Sequence, residues 1–319
     1  MEPVLDASSA NSVPAITTQN LSKQYRTGFW LNQRVRSLSQ LDLTVYQGET
    51  FGLLGQNGAG KTTLIKTLLG IIRPSRGKAT VLGRPIGNRA VKQRIGYLPE
   101  NPYFYETLTG WEVMEMTAGL FGLSRGAVRS RIPELLDLVG LPQEAARKKQ
   151  LRQYSKGMLQ RIGMAQALIN DPELLFLDEP MSGLDPMGRF QMREIILQLK
   201  KQGRTIFFNS HVLSDVEKLC DRVAILDRGE MIAMGSLQEL LGDSQAYQVK
   251  VRGGNPEILK QRVDNLHFQE GLWVGTLKGD PQDFIASLRL IKAQLVSINL
   301  ARPSLEDFFV GQLESRGLA

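Results

Sequence analysis

Gly55-Gln56-Asn57-Gly58-Ala59-Gly60-Lys61-Thr62 places two glycines, a lysine and a hydroxyl at the spacing that wraps a triphosphate. Glycine is needed where the backbone turns sharply with its N–H groups pointing inward, because a Cβ would collide with the phosphates. Lys61 reaches the β and γ phosphates as a compact cation, and the Thr62 hydroxyl offers the oxygen ligand that Mg2+ prefers. Gly55, Asn57, Gly58, Gly60 and Thr63 complete the candidate contact set. Taken alone, the residues also allow an ordinary glycine turn before a helix.

A second constellation is Leu174-Leu175-Phe176-Leu177-Asp178-Glu179-Pro180, an apolar run ending in two carboxylates. Asp178 is placed to hold Mg2+, directly or through water. Glu179, one residue on, can orient and deprotonate a water that attacks the γ phosphate. His211, after the apolar stretch Arg204 to Ser210, is a candidate to hydrogen-bond the γ phosphate and steady that water. Ser155 and Gly157, in Tyr154-Ser155-Lys156-Gly157-Met158, stand before a helical pattern and can receive an anion at a helix start. The same serine also reads as a plain N-cap.

These groups act together only if regular elements converge. Thr50 to Leu54 reads as a short buried strand, Thr63 to Leu69 as a helix, and the Leu174 and Arg204 runs as fully buried parallel strands. In a doubly wound sheet the carboxyl ends of such strands share one crevice, which brings Gly55, Asp178 and His211 together. His267 lies in the distant C-terminal part without comparable neighbours.

The whole chain bounds the answer. Its 319 residues are 42% hydrophobic, enough for one large domain or two moderate ones, which excludes disorder as the main state. The net charge of +7 is compatible with nucleotide, anionic lipid headgroups or nucleic acid as partners. No uncharged apolar stretch approaches a membrane span, so a membrane role requires a partner. The single cysteine, Cys220, excludes an internal disulfide, and its apolar neighbours Val216, Leu219 and Val223 mark it as a core residue. Residues 1–14 carry no apolar core run and are expected to form a flexible tail.

The phosphate loop, the Ser155 to Gly157 signature, the Leu174 to Pro180 segment, Ser182-Gly183-Leu184-Asp185 and His211, in this order, resemble the nucleotide-binding subunit of an ATP-binding cassette transporter. The resemblance covers about residues 15 to 240. It implies two copies, or one copy and a homologous subunit, facing head to tail with ATP between the Lys61 loop of one and the Ser155 signature of the other. It also implies that Tyr25, just before the first sheet strands, stacks on adenine and that Asp185 lies at the dimer seam. Where the family has a metal-contacting glutamine this chain has Glu100, which preserves oxygen ligation but changes the charge. Lys156 and Met158 replace the common glycine and glutamine. This combination resembles the cassette branch that powers exporters and related permeases with separately encoded membrane subunits.

The expected fold class is therefore α/β: a P-loop NTPase core with a β-rich N-terminal part and an inserted helical subdomain at about 101–168, within residues 15–242. Residues 243–319 alternate as strand, helix, two strands, helix, strand, the order of a ferredoxin-like α+β domain. Tyr103-Phe104-Tyr105 reads either as part of a groove for a partner helix or as core. Phe29, Trp30, Arg34 and Arg36 read as a surface hairpin.

The implied function is an ATPase that binds ATP and Mg2+, dimerises around two ATP and drives an integral membrane permease from the cytoplasmic face of the membrane, with no nucleic acid as partner. A soluble cassette ATPase acting on ribosomes or DNA is the alternative. Such relatives carry two cassettes or long coiled-coil arms, and this sequence has neither.

Overall fold

The computed structural model describes residues 13–27, 33–242, 246–300 and 304–315. They form two compact units, Met1–Ser236 and Leu237–Ala319, each with its own apolar core. Of the expected tail, residues 1–12 lie outside the described residues; the Val13 carbonyl accepts from Gln47 N–H, and Pro14 begins the first strand.

The first unit opens with the long strands β1 (Pro14–Thr27) and β2 (Gln33–Tyr46), then β3 (Thr50–Leu54) and helix α1 (Lys61–Leu68). Strands β4 (Arg76–Val81) and β5 (Arg84–Pro85), the short helix α2 (Arg89–Lys92) and β6 (Ile95–Leu98) follow. Helices α3 (Gly110–Leu120), α4 (Arg125–Leu138), α5 (Gln143–Lys148) and α6 (Lys156–Ala167) are inserted before β7 (Leu174–Asp178). The unit closes with α7 (Pro186–Lys201), β8 (Thr205–Ser210), α8 (Leu213–Leu219), β9 (Arg222–Asp227) and β10 (Glu230–Ser236).

The strands build two sheets. One is antiparallel, in the order β2-β1-β4-β5; the other is six-stranded, in the order β10-β9-β3-β8-β7-β6, with β9, β3, β8, β7 and β6 mutually parallel. Every residue of β3, β7 and β8 is buried, which explains why these segments read as unbroken apolar runs. Phe207 centres the core, its ring 5.7 Å from Phe51 and 5.6 Å from Phe176. Cys220 is buried too, and burial pushes its thiol far above the ordinary range, so it is a packing group and not a nucleophile. In the insert, α3 starts from a reciprocal cap: Thr109 N–H donates to the Glu112 carboxylate at 2.8 Å, and Glu112 N–H donates back to Thr109 Oγ1.

Register positions the site. Leu54 pairs with Ser210 and Asp178 pairs with Asn209, so β3, β7 and β8 end level at one edge. Tyr25 stands within β1, paired with Val35 of β2, and not before the first strands as expected. Its polar neighbours hid the strand, because that end of β1 is extended by pairing with an equally exposed strand rather than by burial. Phe29 and Trp30 of the expected hairpin lie outside the described residues; Arg34 and Arg36 are exposed on β2. No helix among the described residues is long and apolar enough to cross a membrane.

The second unit contains α9 (Leu237–Leu241), β11 (Ala246–Gly253), α10 (Pro256–Lys260), β12 (Val263–Gln269), β13 (Leu272–Lys278), α11 (Pro281–Leu290), β14 (Ala293–Leu300) and α12 (Leu305–Ser315). Its antiparallel sheet has the order β12-β13-β11-β14, the ferredoxin-like arrangement. Val249, Val251, Leu259, Val263, Leu277, Phe284 and Leu288 fill its core. His267 is exposed, its Nδ1 2.9 Å from the Asn265 carbonyl.

Candidate functional site

The loop between β3 and α1 is shaped by two glycines for different reasons. Gly58 has φ +85° with open space where a Cβ would stand, so its backbone conformation alone calls for glycine. Gly60 has φ +107°, and a Cβ there would fall 2.4 Å from the Ser37 carbonyl oxygen. The neighbour at Gly60 is thus the backbone of β2. Ser37 also donates from its hydroxyl to, or accepts from, Thr63 Oγ1 at 2.9 Å, tying β2 to the first turn of α1.

Lys61 is 7% exposed and folds back into its own loop, donating from Nζ to the carbonyls of Gly55 at 2.6 Å and Gln56 at 3.2 Å. Its ammonium lies 4.0 Å from Glu179 Oε1. Burial pulls the lysine pKa down, and the negative charges of Glu179, Asp178 and Glu100 oppose that pull. Thr62 Oγ1 is 3.4 Å from Asp178 Oδ1, so the hydroxyl and carboxylate expected to share a cation are neighbours.

Asp178 and Glu179 emerge from β7 into an environment organised by Asn209, which is fully buried. Asn209 Nδ2 donates to Asp178 Oδ1 at 2.7 Å, while its Oδ1 accepts from Glu179 N–H at 2.6 Å. The second bond holds Glu179 at φ +51°, a left-handed conformation that costs a non-glycine residue about 1 kcal/mol. His211 Nδ1 then meets Glu179 Oε2 at 2.8 Å. Burial raises the pKa of both carboxyls; hydrogen bonds from Asn209 and Thr62 oppose it at Asp178, and His211 opposes it at Glu179.

A cleft of about 410 Å³ gathers Asn57, Gly58, Gly60, Lys61, Thr62 and Thr63 from the loop with Glu100, Glu179 and His211 from three other segments. Tyr25 is not among its lining residues. Neither are Ser155, Gly157 and Asp185, which line a separate cleft of about 650 Å³ with Lys156 and Gly183. There Ser155 is exposed and accepts from Met158 N–H at 3.3 Å as the cap of α6, and Asp185 accepts from Gly188 N–H at 2.8 Å as the cap of α7. A helix start leaves its first N–H groups without intrahelical partners, which at α6 are those of Lys156 and Gly157; at α7 the first residue, Pro186, has none to offer. Sequence reasoning missed Asn209 and Ser37, which line the Lys61 cleft. A polar residue inside the otherwise apolar run of β8 was the available signal for Asn209.

A glycine-rich loop opening a helix, a buried carboxylate hydrogen-bonded to a histidine, and a parallel sheet ending level behind them have the form of a nucleoside triphosphatase cassette. Residues 38–182 match the ABC transporter family model. An uncharacterised ABC transporter ATP-binding protein of Nostoc sp. is 61% identical, over 98% of this chain and 94% of that protein. The bacitracin transport ATP-binding protein of Bacillus licheniformis is 40% identical, over 92% of this chain and 96% of that protein. A solved ATP-binding cassette, described as a dimer in a post-hydrolysis state bound to ADP and Pi, has a TM-score of 0.63 at 22% identity, covering 69% of this chain and 98% of that one. The chain belongs to the ABC transporter family, as an ATP-binding, ATP-hydrolysing subunit.

Proposed function

We propose that this subunit is the motor of an exporter whose membrane-spanning permease is a separate chain. Two copies close head to tail over two ATP, and hydrolysis reopens them. The observation that carries this reading is the division of the expected site residues between two clefts: Lys61, Glu179 and His211 line one, and Ser155, Gly157 and Asp185 line another that has no phosphate loop of its own.

The residues of the first cleft perform the reaction as follows. Loop N–H groups and Lys61 bind the β and γ phosphates, Lys61 exchanging its carbonyl partners for phosphate oxygens. Glu179 accepts the proton of the attacking water, and His211, hydrogen-bonded to it, fixes the carboxylate's direction and presents its other ring nitrogen toward the γ phosphate. The donor set of Thr62, Asp178 and Glu100 is all oxygen and fits Mg2+. Bound there, the ion would neutralise charge developing between the β and γ phosphates. Tyr25 is assigned to the adenine and Asp185 to the seam between copies.

For the permease, a groove of about 430 Å³ bounded by Ile71, Tyr97, Pro99 and Phe121 adjoins the Glu100 segment and suits an apolar helix. Tyr103 and Tyr105, 94% and 64% exposed, flank that segment and belong to the surface, which favours contact over core packing. Such docking places the subunit on the cytoplasmic face of the membrane. The word transport in the Bacillus licheniformis relative's name supports the reading as a transporter motor. The test is co-purification of the full chain with a multi-span membrane protein, with ATP-dependent dimerisation of Glu179→Gln followed by light scattering. A chain that stays monomeric with ATP and captures no membrane protein refutes the proposal.

A further inference from the structure

Helix α6 is capped by Ser155, on the face assigned above to a partner's nucleotide, and runs along the segment that carries Glu100 into the chain's own cleft. Three close approaches join helix and segment. A Cβ on Gly96 would fall 2.1 Å from the Ala167 carbonyl oxygen at the far end of α6. A Cβ on Gly163 would fall 2.8 Å from Leu98 Cδ1 and 3.2 Å from Pro102 Cγ. About one turn before Gly163, toward the serine end, Gln160, 1% exposed, donates from Nε2 to the Glu100 carbonyl at 2.9 Å.

That glutamine does nothing for the helix itself, whose backbone bonds are already made. Its Oε1 is buried without a hydrogen-bond partner among the described residues, a cost a leucine would avoid. What it fixes is the Glu100 backbone, while the Glu100 carboxylate lines the phosphate cleft and its charge acts on both Lys61 and Asp178. A helix of 12 residues is a rod of about 18 Å, so a displacement at its serine end is delivered at Gln160 rather than absorbed.

We infer that Gln160 is a positioning residue that couples the two nucleotide sites of the dimer: engagement of α6 by the partner's ATP sets the place of Glu100 in the chain's own site. The inference rests on the head-to-tail reading above and adds to it a named contact through which each site senses the other. It requires no new chemistry, only that one helix end and one metal-facing carboxylate move as a body.

The experiment uses the full-length chain with Gln160→Leu and, as a longer and more adaptable replacement, Gln160→Met. Mn2+ binding to the ATP-loaded chain is read by electron paramagnetic resonance, alongside metal-free ATP affinity and the Hill coefficient of ATP hydrolysis. Both variants are expected to bind Mn2+ about 10-fold more weakly, the size of effect seen when a ligand's support is removed. Metal-free ATP affinity stays at the wild-type value, and the Hill coefficient falls toward one. Combining either variant with Glu100→Ala adds no further loss of Mn2+ affinity. In the Glu179→Gln chain, hydrogen exchange at residues 98–102 and at the start of α6 slows with one common ATP midpoint. Unchanged Mn2+ affinity and Hill coefficient, additive losses, or separate midpoints overturn the inference while leaving a working ATPase. A wild-type chain that neither binds nor hydrolyses ATP refutes the functional reading instead.

Discussion

His211 Nδ1 lies 2.8 Å from Glu179 Oε2, and no other side chain of the cleft approaches that carboxylate oxygen as closely. The carboxylate proposed as the base is therefore aimed by a residue 32 positions further along the chain, delivered by the next strand of the sheet. Glu179→Gln keeps the shape and removes the proton acceptor. Hydrolysis is expected to fall by about 10²- to 10⁴-fold with ATP affinity retained, leaving a stable ATP-bound dimer. Turnover and light scattering check this, and an unchanged rate would reassign the base.

Burial raises the Glu179 pKa, and His211 pulls it back. Since only the ionised carboxylate accepts a proton, turnover is lost as pH falls through this raised value, above the ordinary glutamate pKa of about 4.3. His211→Ala removes the opposing influence. The acid limb of its residual kcat profile is expected at higher pH than in the wild type, and a limb that moves down contradicts the assignment.

Lys61→Ala deletes the one ammonium held inside the loop. ATP at 100 times its Kd stabilises the wild-type chain by about 2.7 kcal/mol through mass action. The variant should lose that ATP-induced rise in melting temperature, measured by calorimetry.

Asn209→Ala strips a donor from buried Asp178 and a side-chain acceptor from Glu179 N–H. The expected cost is about 1–3 kcal/mol of stability, read from urea unfolding, together with a lower kcat as Glu179 N–H keeps only its longer bond to the Asn209 backbone carbonyl, at 3.3 Å. Loss of activity without loss of stability would mean the network only orients.

Gly60→Ala meets both obstacles at once, a φ of +107° and the Ser37 carbonyl at 2.4 Å. The loop must shift, so nucleotide binding is expected to weaken at least as much as in Lys61→Ala, while the variant remains folded by circular dichroism.

The catalytic elements were legible because buried parallel strands write themselves as uninterrupted apolar runs: Thr50 to Leu54 is a strand over the residues expected, and Leu174 to Asp178 and Thr205 to Ser210 fall inside theirs. The ferredoxin-like order after Gly242 was legible from alternation and turn residues, which depend on local chemistry. Tyr25 was misplaced because a strand exposed at its end has no apolar period to reveal it. Asn209 escaped notice since its two partners are set by pairing across strands some 30 residues apart, which spacing along the chain does not encode. The exposure of Tyr103 and Tyr105 was undecided for the same reason: only the packing of the insert determines which aromatics it leaves outside.

The proposed split of the catalytic equipment between two faces of one polypeptide has a genetic signature. Pair a chain crippled at Lys61 with one crippled at Ser155, each inert by itself. In the mixed pair, one composite chamber inherits both lesions and the other inherits none, so blending two dead preparations should revive hydrolysis in half of the chambers of every mixed pair. Intragenic rescue of that kind is a property of a shared boundary, and no self-contained pocket can display it.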